Sequence, residues 1–320
     1  MLQENVIEWN GYALRRVTES DVDLLVEISE SAFGIRPSRE YYINKNLTSS
    51  FGEPYLGYIA LDIQNKPAAF YGVYACELVL DGKKIKAVQS GDTMTHKSHT
   101  GKGLFTKLAE LTYELCKRNG IYFVFGFPNY NSYPGFVKKL GWVCPGKLNE
   151  YRIKVFTIPL VKLSKKVKPF NLLFSIWKRL VNSFYKTNDW VFENSVLELG
   201  VGGVHRDQNF VSYKVENGGS YFIMIDGVRL WLKTDGFLFI GDIEMDKIVS
   251  FEVFVKKLKR YAFLVGADIV LFQTVPATKL DKAFSSIMNP SEAFPYGFCS
   301  FNDLVDPSIF KYNMCDLDTF

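Results

Sequence analysis

At 320 residues the chain is long enough for two domains with separate cores. Charged residues make up 22% and the formal net charge is +4, which excludes a protein-wide field for nucleic acid, so no nucleic-acid partner is expected. Five scattered cysteines without a Cys-x-x-Cys read as reduced thiols, three histidines are too few and too scattered for a metal site, and no apolar run reaches the roughly 18 residues that suggest a spanning helix.

Residues 1–10 contain acids and no apolar centre, so no signal peptide is expected and the cytoplasm is the expected location. Residues 15–28 read as a strand entering a helix, with Thr18 or Ser20 as the cap and Leu24, Leu25 and Ile28 as the apolar stripe. Strand-like runs at 56–63 and 68–80 are joined by Gln64-Asn65-Lys66-Pro67. The turn pair Asp81-Gly82 then predicts a hairpin returning along 85–95. The polar strand end Thr93-Met94-Thr95-His96 leads to Thr100-Gly101-Lys102-Gly103-Leu104-Phe105-Thr106 and an amphipathic helix over 107–118. Two glycines at a helix start leave backbone N–H groups uncovered, and the helix end adds partial positive charge. The turn is therefore expected to hold a phosphate or pyrophosphate. It is not the nucleoside-triphosphate loop, because Lys102 sits between the glycines and Leu104 follows. Nor is it the dinucleotide fingerprint, since Thr106 stands where a third glycine is needed. Asn119-Gly120 ends the helix, 121–127 reads as a buried parallel strand, and 128–136 leads to Val137-Lys138-Lys139-Leu140-Gly141-Trp142.

The order of these elements over about residues 11–158, the glycine turn and the Lys-Leu-Gly-Trp ending resemble the GNAT N-acyltransferases. The family's loop pattern is Gln/Arg-x-x-Gly-x-Gly/Ala. Gly103 takes the central glycine, while Thr100 and Phe105 depart from the first and last positions. The resemblance implies an α/β (α+β) fold with a mixed central sheet of the acyl-CoA N-acyltransferase type. It also implies acetyl-CoA as co-substrate. Thr93, Met94 and Thr95 would then lie along the pantetheine arm. The backbone of Thr100, Gly101, Lys102, Gly103, Leu104, Phe105 and Thr106 would hold the pyrophosphate. Residues 127–131 would splay away to admit the thioester. In such a transfer a neutral amine attacks the thioester carbonyl, a base takes its proton and an acid protonates the thiolate. The family's acid is a tyrosine at the position of Val137, so Tyr133, one turn earlier, is the substitute. Asn129, Asn131 and Ser132 are the alternative, ordering a water or the sulfur. Asp92 is the first choice for the base and His96 the second, although each could equally serve the fold. Phe320 is a further candidate, because in some tandem members the terminal carboxylate is the base; an ordinary strand end is the competing reading.

The second half repeats the order strand, helix, strand, helix, strand, strand: 237–243, 246–262, 269–274, 277–288, 293–301 and 310–318. It lacks a glycine loop, and so resembles a second, degenerate GNAT-like lobe. The expected organisation is a GNAT domain at 1–158, a connector at 159–188 and the second lobe at 189–320. From Tyr151 to Asn188 there is no acidic residue, and 169–185 reads as a basic, aromatic-rich amphipathic helix. It could lie on an anionic membrane face or bridge the lobes. The expected function is transfer of acetyl to a small amine, such as an amino sugar or a metabolite. Two alternatives stand beside it: an aminoacyl-tRNA-dependent transferase of the peptidoglycan-bridge type, and a non-catalytic CoA-binding sensor or scaffold. Acceptor, acyl length and oligomeric state are not encoded in any motif.

Overall fold

Asn10 and Gly11, both at positive φ, turn the chain between β1 (Ile7–Trp9) and β2 (Tyr12–Arg16), an antiparallel hairpin. The computed structural model describes residues 6–187 and 192–320, so the 188/189 boundary and half of the segment 1–10 lie outside the described residues. Two units emerge: Met1–Gly146 with Pro295–Ser308, and Lys147–Phe294 with Ile309–Phe320. Neither division falls at 158 or 189, and the first unit takes in a late stretch of chain.

In the first unit Thr18 and Asp21 form a capping box at a 3-10 turn (Glu19–Asp21) that leads into α1 (Val22–Phe33). Arg15 grips both Asp21 carboxylate oxygens, at 2.7 and 2.6 Å. Burial alone would raise this carboxyl, but Arg15 and Thr18 hold it below its ordinary range. A helix not foreseen in the sequence, α2 (Arg39–Asn46), follows with Ser38 as its cap. Strands β3 (Leu56–Leu61), β4 (Pro67–Leu80) and β5 (Lys83–Thr95) form an antiparallel meander. Helix α3 (Leu104–Arg118) then crosses over to β6 (Phe123–Gly126), which pairs parallel with β5. After α4 (Tyr133–Leu140) comes β7 (Val143–Lys154), whose first residues, 143–146, belong to this unit. Residues 295–300 lie between β6 and the start of β7, pairing antiparallel with β6 (Gly297 opposite Gly126). A core of Leu14, Tyr71, Val88, Leu108, Phe136 and Trp142 fills the space between α3, α4 and the sheet.

In the second unit the remainder of β7 is followed by α5 (Leu160–Lys166), α6 (Lys168–Ser183), β8 (Gly203–Val204) and α7 (Gln208–Gly218). Next come β9 (Ser220–Ile225), β10 (Val228–Asp235), β11 (Phe237–Ile243), α8 (Phe251–Val265), β12 (Ile269–Thr274), α9 (Lys279–Ser285) and the first residues, 291–294, of β13 (Ser291–Ser300). The strand order is β7-β12-β11-β10-β9, with β11 and β12 parallel. Helix α8 starts later than expected because a 3-10 turn (Met245–Lys247) intervenes and Ser250 caps it. The expected strand at 310–318 is absent. Asn313 and Asp316 close a capping box there instead, which fixes a 3-10 turn (Met314–Asp316).

Candidate active site

The register of β4 against β5 slips once. Phe70 faces Met94 and Gly72 faces Gly91, so Tyr71 alone stands opposite Asp92 and Thr93. This β-bulge puts Asp92 at φ 47°, a left-handed conformation that aspartate tolerates better than most residues. A bulge turns backbone groups out of the ladder and makes them available to a ligand. Registered pairs between β5 and β6 end at Gln89 and Phe125, close to the end of β6 at Gly126, while β5 runs on to Thr95. From the bulge onward β5 thus has no registered partner on its β6 side among the described residues.

At the same end of β5 the chain enters the glycine turn. Gly103, at φ +79°, is the N-cap of α3, and no side chain caps the helix. The amides of Leu104, Phe105 and Thr106 therefore have no intrahelical acceptor. Thr100, Gly101, Lys102 and Gly103 are exposed, leaving this end open to an anion. Phe105 is accommodated where the family uses a small residue, because its ring packs against Tyr71, Phe136 and the bare backbone of Gly135. A Cβ built on Gly135 would stand 2.9 Å from that ring. The same contact joins the N-terminal ends of α3 and α4, bringing the loop close to the segment 132–135.

The Asp92 carboxylate accepts a hydrogen bond from the Tyr74 hydroxyl and lies 2.9 Å from Lys45 Nζ. Lys45, on α2, also sits over the rings of Tyr41 and Tyr74, at 5.5 and 4.9 Å. Burial, and then the charge of Asp92, push the Tyr74 hydroxyl well above its ordinary value, so it stays a donor. Lys45, Tyr41 and Tyr74 are not foreseen from the sequence. The only available signal was a lysine four residues after a tyrosine in a segment with weak helical periodicity.

His96 caps a 3-10 turn (Lys97–His99), and its Nδ1 accepts from the Ser98 amide at 3.3 Å. The same nitrogen lies 2.7 Å from the Ser98 hydroxyl, so it is engaged within the turn. The Nδ1 of His99 pairs with the Tyr12 hydroxyl at 2.9 Å. Tyr133 is the first residue of α4, half-buried, and its hydroxyl has no hydrogen bond among the described residues. The Asn129 side-chain carbonyl is taken up by the amides of Asn131 and Ser132, both at 3.0 Å, so that trio is occupied in shaping the entry to α4. Met94 is buried and accepts from the Tyr42 hydroxyl at 3.4 Å, so its side chain is a core group and only its backbone is available. Phe320 belongs to the second unit. Its ring is buried against Trp231, and its carbonyl lies beside Gly218.

The second unit carries a corresponding bulge and fills it. Trp231 faces Asp242 and Leu232 faces Ile240, leaving Gly241 over. The ring of Phe320 and the Cβ of Cys315 stand where any side chain at Gly241 would go. Beyond Phe272, where the registered pairing of β11 with β12 ends, Val275 donates to the Tyr312 carbonyl at 3.0 Å and Thr274 to the Asn313 side chain at 2.7 Å. Buried Arg206 joins Asp242 to Asp316, which locks the segment down. Ser250 caps α8, so an uncapped helix end is missing there as well.

Residues 13–144 match the family model described as "Acetyltransferase (GNAT) domain". That stretch of the chain carries a GNAT acetyltransferase domain. No curated protein matches it. Its fold is similar to that of a GCN5-related N-acetyltransferase from Kribbella flavida, at 10% identity over 90% of this chain and 71% of that one, TM-score 0.53. A GCN5-related N-acetyltransferase from Anabaena variabilis is similar over 91% and 73%, at 13% identity and TM-score 0.54. A conserved protein from Enterococcus faecalis, described as a probable N-acyltransferase, is similar over 90% and 72%, at 12% identity and TM-score 0.57. At these identities the likeness is one of fold. The bulge, the end of the β5–β6 pairing and the bare helix end all lie inside the matched GNAT domain.

Proposed function

We propose that the GNAT domain transfers acetyl from acetyl-CoA to the amine of a small molecule, and that the second unit is a GNAT-like lobe without a working site. The observation that carries this reading is the succession of three features from β5 into α3: the end of registered pairing with β6, the bulge at Asp92–Thr93, and the uncapped start of α3. The pyrophosphate meets the free amides of residues 104–106, where Lys102 adds charge. The pantetheine arm follows Thr93, Met94 and Thr95 by their backbone groups, and the thioester reaches the bulge.

There the neutral amine attacks the carbonyl carbon, and amides released by the bulge stabilise the oxyanion. The C–S bond breaks, giving an acetamide and CoA thiolate. Asp92, fixed by Lys45 and Tyr74, takes the proton lost by the amine. Tyr133 gives its proton to the thiolate. His96 is engaged within its own turn, and Phe320 packs the second unit. The tyrosine rings and carboxylate around Asp92 suit a polar, amine-bearing acceptor such as an amino sugar or an amine metabolite. Val137 has no proton to give, which supports Tyr133 as the acid.

Thermal unfolding with and without acetyl-CoA, followed by transfer of labelled acetyl to an amine panel, tests the proposal. Stabilisation by acetyl-CoA that is lost in Gly103→Val, together with turnover, is the expected result. Absence of any stabilisation would overturn it, as would stabilisation unchanged in that variant.

A further inference from the structure

Helix α6 is apolar over far more of its circumference than its own unit uses. Phe170, Phe174 and Val181 face the core of the second unit, and Trp177 donates to the Leu264 carbonyl at 2.8 Å. At helical spacing Leu172, Ile176, Leu180, Leu173 and Phe184 fall on an adjoining arc of about 120°. That arc is open: Leu172 is 70% exposed, Leu173 63%, Ile176 58% and Phe184 80%. Buried and open apolar arcs together span about 200° of the helix, and Asn171, Ser175, Lys178, Arg179 and Asn182 occupy the remainder. Past Trp177 the apolar surface continues through Leu264 and Phe263 at the end of α8.

The surrounding charge has one sign. Lys166, Arg179 and Lys186 flank the stripe, and Lys259 and Arg260 flank Phe263; among the described residues none of the five forms an ion pair. The nearby acids Asp268 and Asp235 are already paired, with Lys162 at 2.6 Å and with Lys165. No acid occurs from Tyr151 to Asn188. A second copy of the same face would meet its own positive rim, so the rim selects an occupant that is negative at its surface and apolar beneath. Among the described residues no helix is long and apolar enough to cross a membrane, and α6 is docked along its length by its other face.

We propose that the open face of α6, with its lysine and arginine rim, docks the protein on an anionic lipid bilayer, the helix lying in the plane of the interface. Leucine, isoleucine and phenylalanine side chains enter the acyl boundary, and the cations sit among the headgroups. The inference is independent of the acetyl-transfer reading, because none of these residues belongs to the GNAT domain.

Flotation of the full chain with vesicles of phosphatidylcholine alone, and of phosphatidylcholine mixed with phosphatidylglycerol, tests it. Binding to the anionic vesicles is expected to exceed that to the neutral ones by roughly ten-fold or more and to weaken in high salt. Leu172→Glu with Ile176→Glu is expected to abolish it with circular dichroism and thermal midpoint unchanged, since both positions face water. Arg179→Glu is expected to lower it only in part. Equal binding to both vesicle types, no binding, or unaltered binding by the double variant would overturn the proposal. A dimer in light scattering that the double variant dissolves, without vesicle binding, would assign the face to a second copy and overturn it as well.

Discussion

Lys45 Nζ and the Asp92 carboxylate stand 2.9 Å apart beside the β-bulge, both largely screened from water. Removing one charge leaves the other buried without its opposite charge. Lys45→Met is therefore expected to cost about 3 kcal/mol, and the double variant with Asp92→Asn less than the sum of the two singles. Urea unfolding of the four proteins checks it. Asp92→Asn alone should also lower kcat by about a hundred-fold while acetyl-CoA still stabilises the protein.

Tyr133 opens α4 with a hydroxyl that makes no hydrogen bond among the described residues. Tyr133→Phe is expected to reduce kcat by about a hundred-fold with little change in KM for acetyl-CoA, the pattern for a group needed only as the thiolate leaves. An acceptor whose transfer is insensitive to this change would reassign the acid.

Phe105 and Gly135 form a matched pair, because a methyl group at 135 would press on the ring at 2.9 Å. Gly135→Ala should destabilise the protein by about 1–3 kcal/mol. In the background of Phe105→Leu, the same change should cost distinctly less. Thermal midpoints of the four proteins measure the coupling.

Asp21 supplies the pH dependence. Arg15 and the Thr18 backbone hold its folded carboxyl below its unfolded value, outweighing burial. Its contribution is thus complete above the unfolded value, about 4, and fades as pH falls through the lower folded value. Asp21→Asn should cost about 2 kcal/mol at pH 7 and progressively less at acid pH, as followed by urea unfolding.

The meander, the crossover helix and the parallel strand of the first unit were legible because each carries local signals. Asp81-Gly82 at the hairpin, Asn119-Gly120 after α3 and the apolar run 121–127 are examples. Gly103 was legible as the start of a helix, since only backbone conformation is needed there. Lys45 and Tyr74 were not, because they meet Asp92 by the packing of α2 on a bulge, and neither packing nor bulge leaves a periodic trace. The end of the chain misled for a related reason. Phe310, Tyr312 and Leu317 look strand-like, but Asn313 and Asp316 bond each other's backbone and bend the segment into a turn. The contiguous lobes expected at 1–158 and 189–320 gave no hint that residues 295–300 complete the first sheet, since strand neighbours far apart in sequence have no local signature.

That late strand sets a timetable for biosynthesis. A ribosome adding about 5–20 residues per second takes on the order of ten seconds to travel from Gly146 to Pro295. Throughout that interval the edge of β6 waits without its partner. The sheet of the nascent acetyltransferase domain is therefore unfinished until residues 295–300 have emerged, and an amino-terminal fragment cut at Gly146 would present a raw sheet edge.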